Sequence, residues 1–231
     1  MEKPLKKKIF SFLKIFFLCF AVAVFIWPVY FVILYKFVPV YYTPLMLQRF
    51  FEDGNFKMPE KTWVSFEKIS PDMSRAVISS EDNLFLKHGG FSMANIKKAI
   101  EDHRKGKKLR GGSTISQQCA KNVFWFPIRS YFRKAHEAYL TVLIEFIWGK
   151  KRIMEVYLNV IETGDGVYGV EKAAEKFFLV KAEKLSKAQC ALIAACLPNP
   201  RIYHVDRPSN YTKNRQSKIL ELMPKMGNLE F

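Results

Sequence analysis

Ser70-Pro71-Asp72-Met73-Ser74-Arg75-Ala76-Val77-Ile78-Ser79-Ser80-Glu81-Asp82 is the stretch on which the fold class turns. Ser70 offers a capping hydroxyl, Pro71 suits the first turn of a helix, and Asp72 complements the positive pole of its dipole. Met73, Ala76, Val77 and Ile78 recur at helical spacing, so the segment reads as an amphipathic helix that buries one stripe. It ends on two adjacent carboxylates. Acids gain nothing from the negative pole of a helix, so Glu81 and Asp82 stand equally as a surface pair or as a general base with its support.

Further along the chain the helical pattern repeats. Ser92 caps a helix that ends near Gly106, and Thr114 with Gln117 three residues later forms a capping box for the next. Long amphipathic stretches cover 132–148 and 150–163, with Gly149 and Gly164 as their terminators. Tyr168–Phe178 follows, then Ser186–Leu197, opened by Ser186 and Gln189 and stopped by Pro198. Strand-like alternation is scarce and no internal repeat is present. A mainly α-helical domain is expected.

Toward the N-terminus, residues 38–60 read as an irregular stretch rich in Tyr and Phe, punctuated by Pro39, Pro44, Gly54 and Pro59. Before it, Ile15 to Tyr35 carries no charge, and at 1.5 Å per residue that run reaches about 30 Å, the hydrocarbon thickness of a bilayer. One membrane-spanning helix is expected there, kinked at Pro28. Ala21-Val22-Ala23 mimics a signal-peptide cleavage site, but the apolar run continues for twelve residues beyond it. Lys3, Lys6, Lys7, Lys8 and Lys14 precede the span against a single Glu2, which places the N-terminus in the cytoplasm and the rest of the chain outside. The reading divides the chain into a basic tail (1–14), a transmembrane helix (15–37), a juxtamembrane segment (38–60) and an exported domain (61–231).

The formal net charge is +16, from 37 basic and 21 acidic side chains, and most of the excess lies on the exported part. An anionic partner is implied. Export disfavours nucleic acid and leaves headgroups or a phosphorylated substrate. Four cysteines are too few for a disulfide scaffold, their spacing fits no zinc site, and they read as buried thiols. His88, His103, His136 and His204 show no metal-ligand spacing either.

Besides Glu81-Asp82, two segments invite chemistry. Gly111-Gly112-Ser113-Thr114-Ile115-Ser116-Gln117-Gln118-Cys119-Ala120-Lys121-Asn122 opens a helix with two glycines and three hydroxyls, which suits a phosphate cradle as well as a plain capped helix. Lys107, Lys108, Arg110, Lys121 and Arg129 deepen the positive field. A nucleotide P-loop is excluded because Gly112 stands where the loop lysine must be. In Arg133-Lys134-Ala135-His136-Glu137, Glu137 sits one turn after a basic pair, the spacing of a common surface ion pair.

Read together, these blocks resemble a monofunctional peptidoglycan glycosyltransferase, the membrane-anchored relative of the glycosyltransferase domain of class A penicillin-binding proteins. The matching motifs occur in family order: Glu81-Asp82 with Phe85, His88 and Gly90; Gly112 to Gln118 with Lys121-Asn122; Arg133-Lys134 with Glu137; Lys151 to Asn159; and Gly164 through Pro200. Ser92 and Cys119 depart from the usual pattern. Ser11 to Lys14 and Ser65 to Lys68 match SxxK, but no SDN or KTG accompanies them, so a transpeptidase is excluded.

The resemblance implies a lysozyme-like, two-lobed fold that polymerises lipid II into β-1,4 glycan strands with inversion and release of undecaprenyl diphosphate. Glu81 would be the general base and Glu137 the second essential carboxylate. Ser113, Thr114, Gln117, Gln118, Lys121, Asn122, Arg129, Arg133 and Lys134 would bind substrate, and Asp82, Phe85 and His88 would support the site. The partners implied are lipid II, the growing lipid-linked glycan, the bacterial cytoplasmic membrane and other cell-wall synthesis proteins. No cofactor is required; a divalent cation, Mg or Mn, at the pyrophosphate is left open. A glycan-cleaving hydrolase and a non-catalytic cell-wall scaffold are the rival readings.

Overall fold

The structure is a computed structural model that describes residues 2–52, 58–106, 112–126 and 130–231, with the backbone alone for 2–6, 98–100, 102 and 103. It separates into two units, residues 1–38 and 39–231. The first is helical from residue 2 to residue 37: α1 (Glu2–Ala21), a π turn (Val22–Ile26) and α2 (Trp27–Phe37). The π turn has a local cause. Pro28 lacks an N–H and its ring crowds the preceding turn, so the chain widens just before it, with Trp27 N–H donating to Val22 O. Lys7–Phe37 is long and apolar enough to cross a bilayer.

In the second unit the segment expected to be irregular contains α3 (Pro44–Glu52), which starts on a proline at its first turn and packs on the helix that follows Thr114. Then come β1 (Glu60–Lys61), α4 (Pro71–Glu81), α5 (Met93–Arg104), α6 (Ile115–Phe124) and α7 (Tyr131–Val160). After them lie β2 (Glu162–Gly164), β3 (Val167–Tyr168), α8 (Val170–Phe178), α9 (Lys187–Cys196) and α10 (Asn210–Leu222). The domain is mainly helical, as its periodicity requires.

Both capping boxes form, Thr114 with Gln117 and Ser186 with Gln189. Ser70 stands at the N-cap of α4, but its hydroxyl does not cap; it bonds the Cys190 thiol, while its N–H donates to Ala182 O at 3.0 Å. The stripe on α4 is buried as expected, with Met73, Ala76, Val77 and Ile78 at most 2% exposed. It packs on α9, which also packs on α10; α6 packs on α7. Cys119, Cys190 and Cys196 are buried free thiols, whereas Cys19 is exposed on the apolar α1.

Two glycines act differently from each other. Gly149 breaks α7 with φ 71° and ψ 171°, the positive φ that glycine adopts without penalty, and so divides the helix as its sequence suggests. Gly164 does not end a helix. The chain leaves α7 at Val160, and Gly164 lies on β2, where an added Cβ would stand 2.9 Å from the Phe177 ring.

The three strands form a small sheet in the order β1-β3-β2, β1 parallel and β2 antiparallel to β3. Strands of two and three residues leave no alternation to read. The Lys151–Asn159 block serves this region as scaffold. Asn159 exchanges hydrogen bonds with Val64 at 2.9 Å in both directions, Phe66 N–H donates to Glu155, and Arg152 lies over the Trp63 ring.

Candidate active site

A groove of about 770 Å³ opens among the ends of α4, α6, α9 and α10. Glu81, Gly112, Ser113, Gln118, Lys121 and Asn122 line one part of it, and Leu197, Pro198, Pro200, Tyr203 and Tyr211 another. Residues 81 and 121, forty positions apart, therefore open onto one space.

Glu81 ends α4, and each of its oxygens is held. Oε2 accepts from Gln118 Nε2 at 3.1 Å, and Oε1 accepts from Ser80 Oγ at 3.0 Å and Arg215 Nη2 at 3.2 Å. Arg215 also donates to Ser80 Oγ at 2.8 Å. Behind Gln118, the hydroxyl of fully buried Tyr157 donates to Gln118 Oε1 at 3.1 Å, which fixes which end of the amide faces Glu81. Burial pushes the Tyr157 phenol well above its ordinary value, with the nearby Glu81 adding to it. The phenol is thus a permanent donor that aims an amide at a carboxylate.

Asp82 is buried and joins two elements. One oxygen accepts the Ile115 N–H at 3.1 Å, and both lie 3.0–3.1 Å from His88 Nε2. His88 Nδ1 accepts from Gly90 N–H at 3.1 Å, so the ring proton sits on Nε2, facing Asp82. Phe85 is fully buried, edge-on to His88, with Lys150 Nζ 4.5 Å above its ring. These three residues hold the end of α4 against the start of α6.

That arrangement changes the reading of the phosphate cradle. The anion at the N-terminus of α6 is Asp82 itself, and the Gln117 N–H is taken by Thr114 Oγ1, whose hydroxyl donates to Gly90 O at 2.6 Å. Thr114 and Gln117 are buried and close the cap; they do not line the groove. Gly112, exposed Ser113, Gln118, Lys121 and Asn122 do line it. Arg129 lies outside the described residues, as do Lys107, Lys108, Arg110 and Gly111.

Beside Lys121, the start of α7 carries Glu137, whose two oxygens are taken by Arg133 Nη1 at 2.6 Å and by Lys134 Nζ. Glu137 is 2% exposed, so its charge is compensated inside the protein. Burial pulls the Lys121 ammonium below the ordinary lysine range; Glu137 and Glu81 oppose that shift, and Arg133 and Lys134 reinforce it. Three cations against one buried carboxylate leave this flank cationic. The Lys121 ammonium makes no hydrogen bond among the described residues, whereas its backbone carbonyl accepts from the Trp125 N–H at 3.0 Å.

Among the described residues, no three His, Cys, Asp or Glu gather as metal ligands, and both oxygens of Glu137 are already held by cations.

Arg215 and the pair Tyr203–Tyr211 are groove residues that sequence reasoning missed. The one local signal was Ser209, which caps the helix carrying Tyr211 and Arg215.

Among the described residues, a mainly helical domain thus holds a carboxylate in a polar groove beside a cationic flank. Comparison with known proteins is more specific: a family model described as Transglycosylase matches residues 48–224. The chain belongs to this transglycosylase family. It is 53% identical over 195 residues to the biosynthetic peptidoglycan transglycosylase of Bacteroides thetaiotaomicron, covering 83% of this chain and 79% of that protein. It is 44% identical over 228 residues to the protein of the same name from Escherichia coli, covering 96% and 94%.

Proposed function

We propose that this protein polymerises lipid II into linear β-1,4 glycan strands at the outer face of the bacterial cytoplasmic membrane, held there by Lys7–Phe37. The observation that carries the reading is that Glu81 and Lys121 line one groove. In it, Glu81 takes the proton of the acceptor sugar 4-hydroxyl as that oxygen attacks the anomeric carbon of the donor. The bond to the lipid diphosphate breaks on the opposite face, which inverts the α-linked donor to a β product. Negative charge grows on the leaving group, and cations already in place stabilise it most. Lys121 meets it from inside the groove, with Ser113 and Asn122 as neutral donors and Arg133 and Lys134 supplying positive potential from α7. Glu137 acts by holding those two cations rather than by moving a proton.

Membrane attachment adds to this reading, because the substrate lipid never leaves the bilayer and the search becomes two-dimensional. The basic N-terminal flank supports a cytoplasmic N-terminus, with the groove outside. The test is to incubate the purified full chain with labelled lipid II and digest the product with muramidase. Polymer that muramidase reduces to disaccharide units supports the reading. Intact lipid II, or cleavage of finished glycan in its place, overturns it.

A further inference from the structure

Glu81 is gripped from two sides. Gln118 of α6 holds one oxygen and Arg215 of α10 the other, so the groove has an α6 flank and an α10 flank, and the two differ in chemistry. The α6 flank carries Lys121 and Asn122. The α10 flank carries rings: Tyr203 and Tyr211 pack with centroids 5.1 Å apart at 32°, bordered by Leu197, Pro198 and Pro200.

Tyr211 lies four residues before Arg215 on α10, hence on the same helix face and about 6 Å along the axis from it. Arg215 touches Glu81 directly. Tyr211 therefore lines the same groove as Glu81, one helical turn from the residue that holds the carboxylate. Tyr211 is 56% exposed although it faces a groove and has a packing partner in Tyr203. An aromatic face kept open there, between prolines and a polar site, suits the apolar C–H face of a sugar ring rather than a charged group.

We infer that Tyr211, backed by Tyr203, is a stacking platform for the sugar ring next to the one whose hydroxyl faces Glu81. This rests on the proposed transglycosylase reading and adds a glycan-register residue to it. The platform binds substrate and takes no part in proton transfer.

The test uses the full chain in detergent and two readouts. The first is calorimetric titration with a peptide-free tetrasaccharide of alternating GlcNAc and MurNAc. Tyr211→Ala should weaken binding about tenfold, the size of one lost ring contact, and Tyr211→Phe, which keeps the ring, should restore it. The second is lipid II polymerisation, where Tyr211→Ala should raise KM about tenfold while kcat changes by less than about threefold. Wild-type chain that does not bind the tetrasaccharide, a Tyr211→Ala variant that binds like wild type, or a Phe variant as weak as Ala overturns the platform. So does a kcat that collapses with KM unchanged. Tetrasaccharide binding that responds to Tyr211 without any polymer from lipid II would sink the transglycosylase reading and leave the platform standing, whereas polymer insensitive to Tyr211 would do the reverse.

Discussion

Arg215 Nη2 lies 3.2 Å from Glu81 Oε1 and 2.8 Å from Ser80 Oγ, although 134 residues separate the guanidinium from the carboxylate. One planar group thus holds the end of α4 from a helix near the C-terminus. The carboxylate cannot rotate away from the groove without breaking that contact and the one from Gln118. A base pre-set in this way needs no reorganisation when substrate arrives.

Arg215→Ala should lower kcat about 10- to 100-fold in the lipid II assay, the cost of letting a reacting group drift from its productive position. Arg215→Lys should recover only part, since the shorter, flexible lysine chain must bring its nitrogen to the place that Nη2 holds between Ser80 and Glu81. A normal kcat for the alanine variant would show that Gln118 alone orients the base.

Glu81→Gln should reduce polymerisation by at least about 10²-fold, the lower end for loss of a general base. The amide keeps the contacts to Ser80 and Arg215 through its oxygen and loses the one from Gln118, so thermal unfolding should fall only modestly. Near-normal turnover by this variant would remove Glu81 from the chemistry.

Lys121→Ala should lower kcat about 10²-fold by removing one donor from the leaving group. Because the ammonium is the active form, the wild-type rate should fall as pH rises through the Lys121 pKa, which burial places below that of an exposed lysine. In Lys121→Arg that alkaline fall should move to higher pH, a shift visible in a pH-rate profile.

Asp82→Asn should cost about 2 kcal/mol in urea unfolding, because a charged acceptor for Ile115 N–H and His88 Nε2 becomes a neutral one. If stability is unchanged, the connection between α4 and α6 is held elsewhere.

Lys61 offers a test of pH and stability. Its ammonium donates to the carbonyls of Val40 and Tyr41, and burial pushes its pKa down to about 7. In the unfolded chain it titrates like an ordinary lysine, so between these two values the unfolded state binds the extra proton. Stability should therefore rise with pH above about 7, the burial cost being full below it. Lys61→Met should flatten that slope in denaturant titrations run at several pH values.

Much of this was legible because it is local. The Thr114–Gln117 box, the break at Gly149, the Arg133–Glu137 ion pair and the unbroken apolar run before residue 38 are each decided within a few residues, and the structure shows each where its spacing puts it. The rest depends on distant partners. β1 pairs in parallel with a strand about a hundred residues later, and α3 sits in a stretch whose prolines mask it. Thr114 and Gln117 show a subtler limit. Hydroxyls and amides at a helix start suit an anion or a cap equally, and only the position of Asp82 shows that the pole is already filled. Arg215 could not be found from its neighbours, since nothing within α10 points to residue 81.

The break at Gly149 divides α7 into a segment that presents Arg133, Lys134 and Glu137 and a segment that clamps Val64 and Phe66 through Asn159 and Glu155. Outside its own stretch of helix, no atom lies within 4 Å of a Cβ added there, so the requirement for glycine is one of backbone handedness. A semisynthetic chain with D-alanine at that position would take the positive φ without backbone strain and with less freedom than glycine, stiffening the charge-bearing half against its footing.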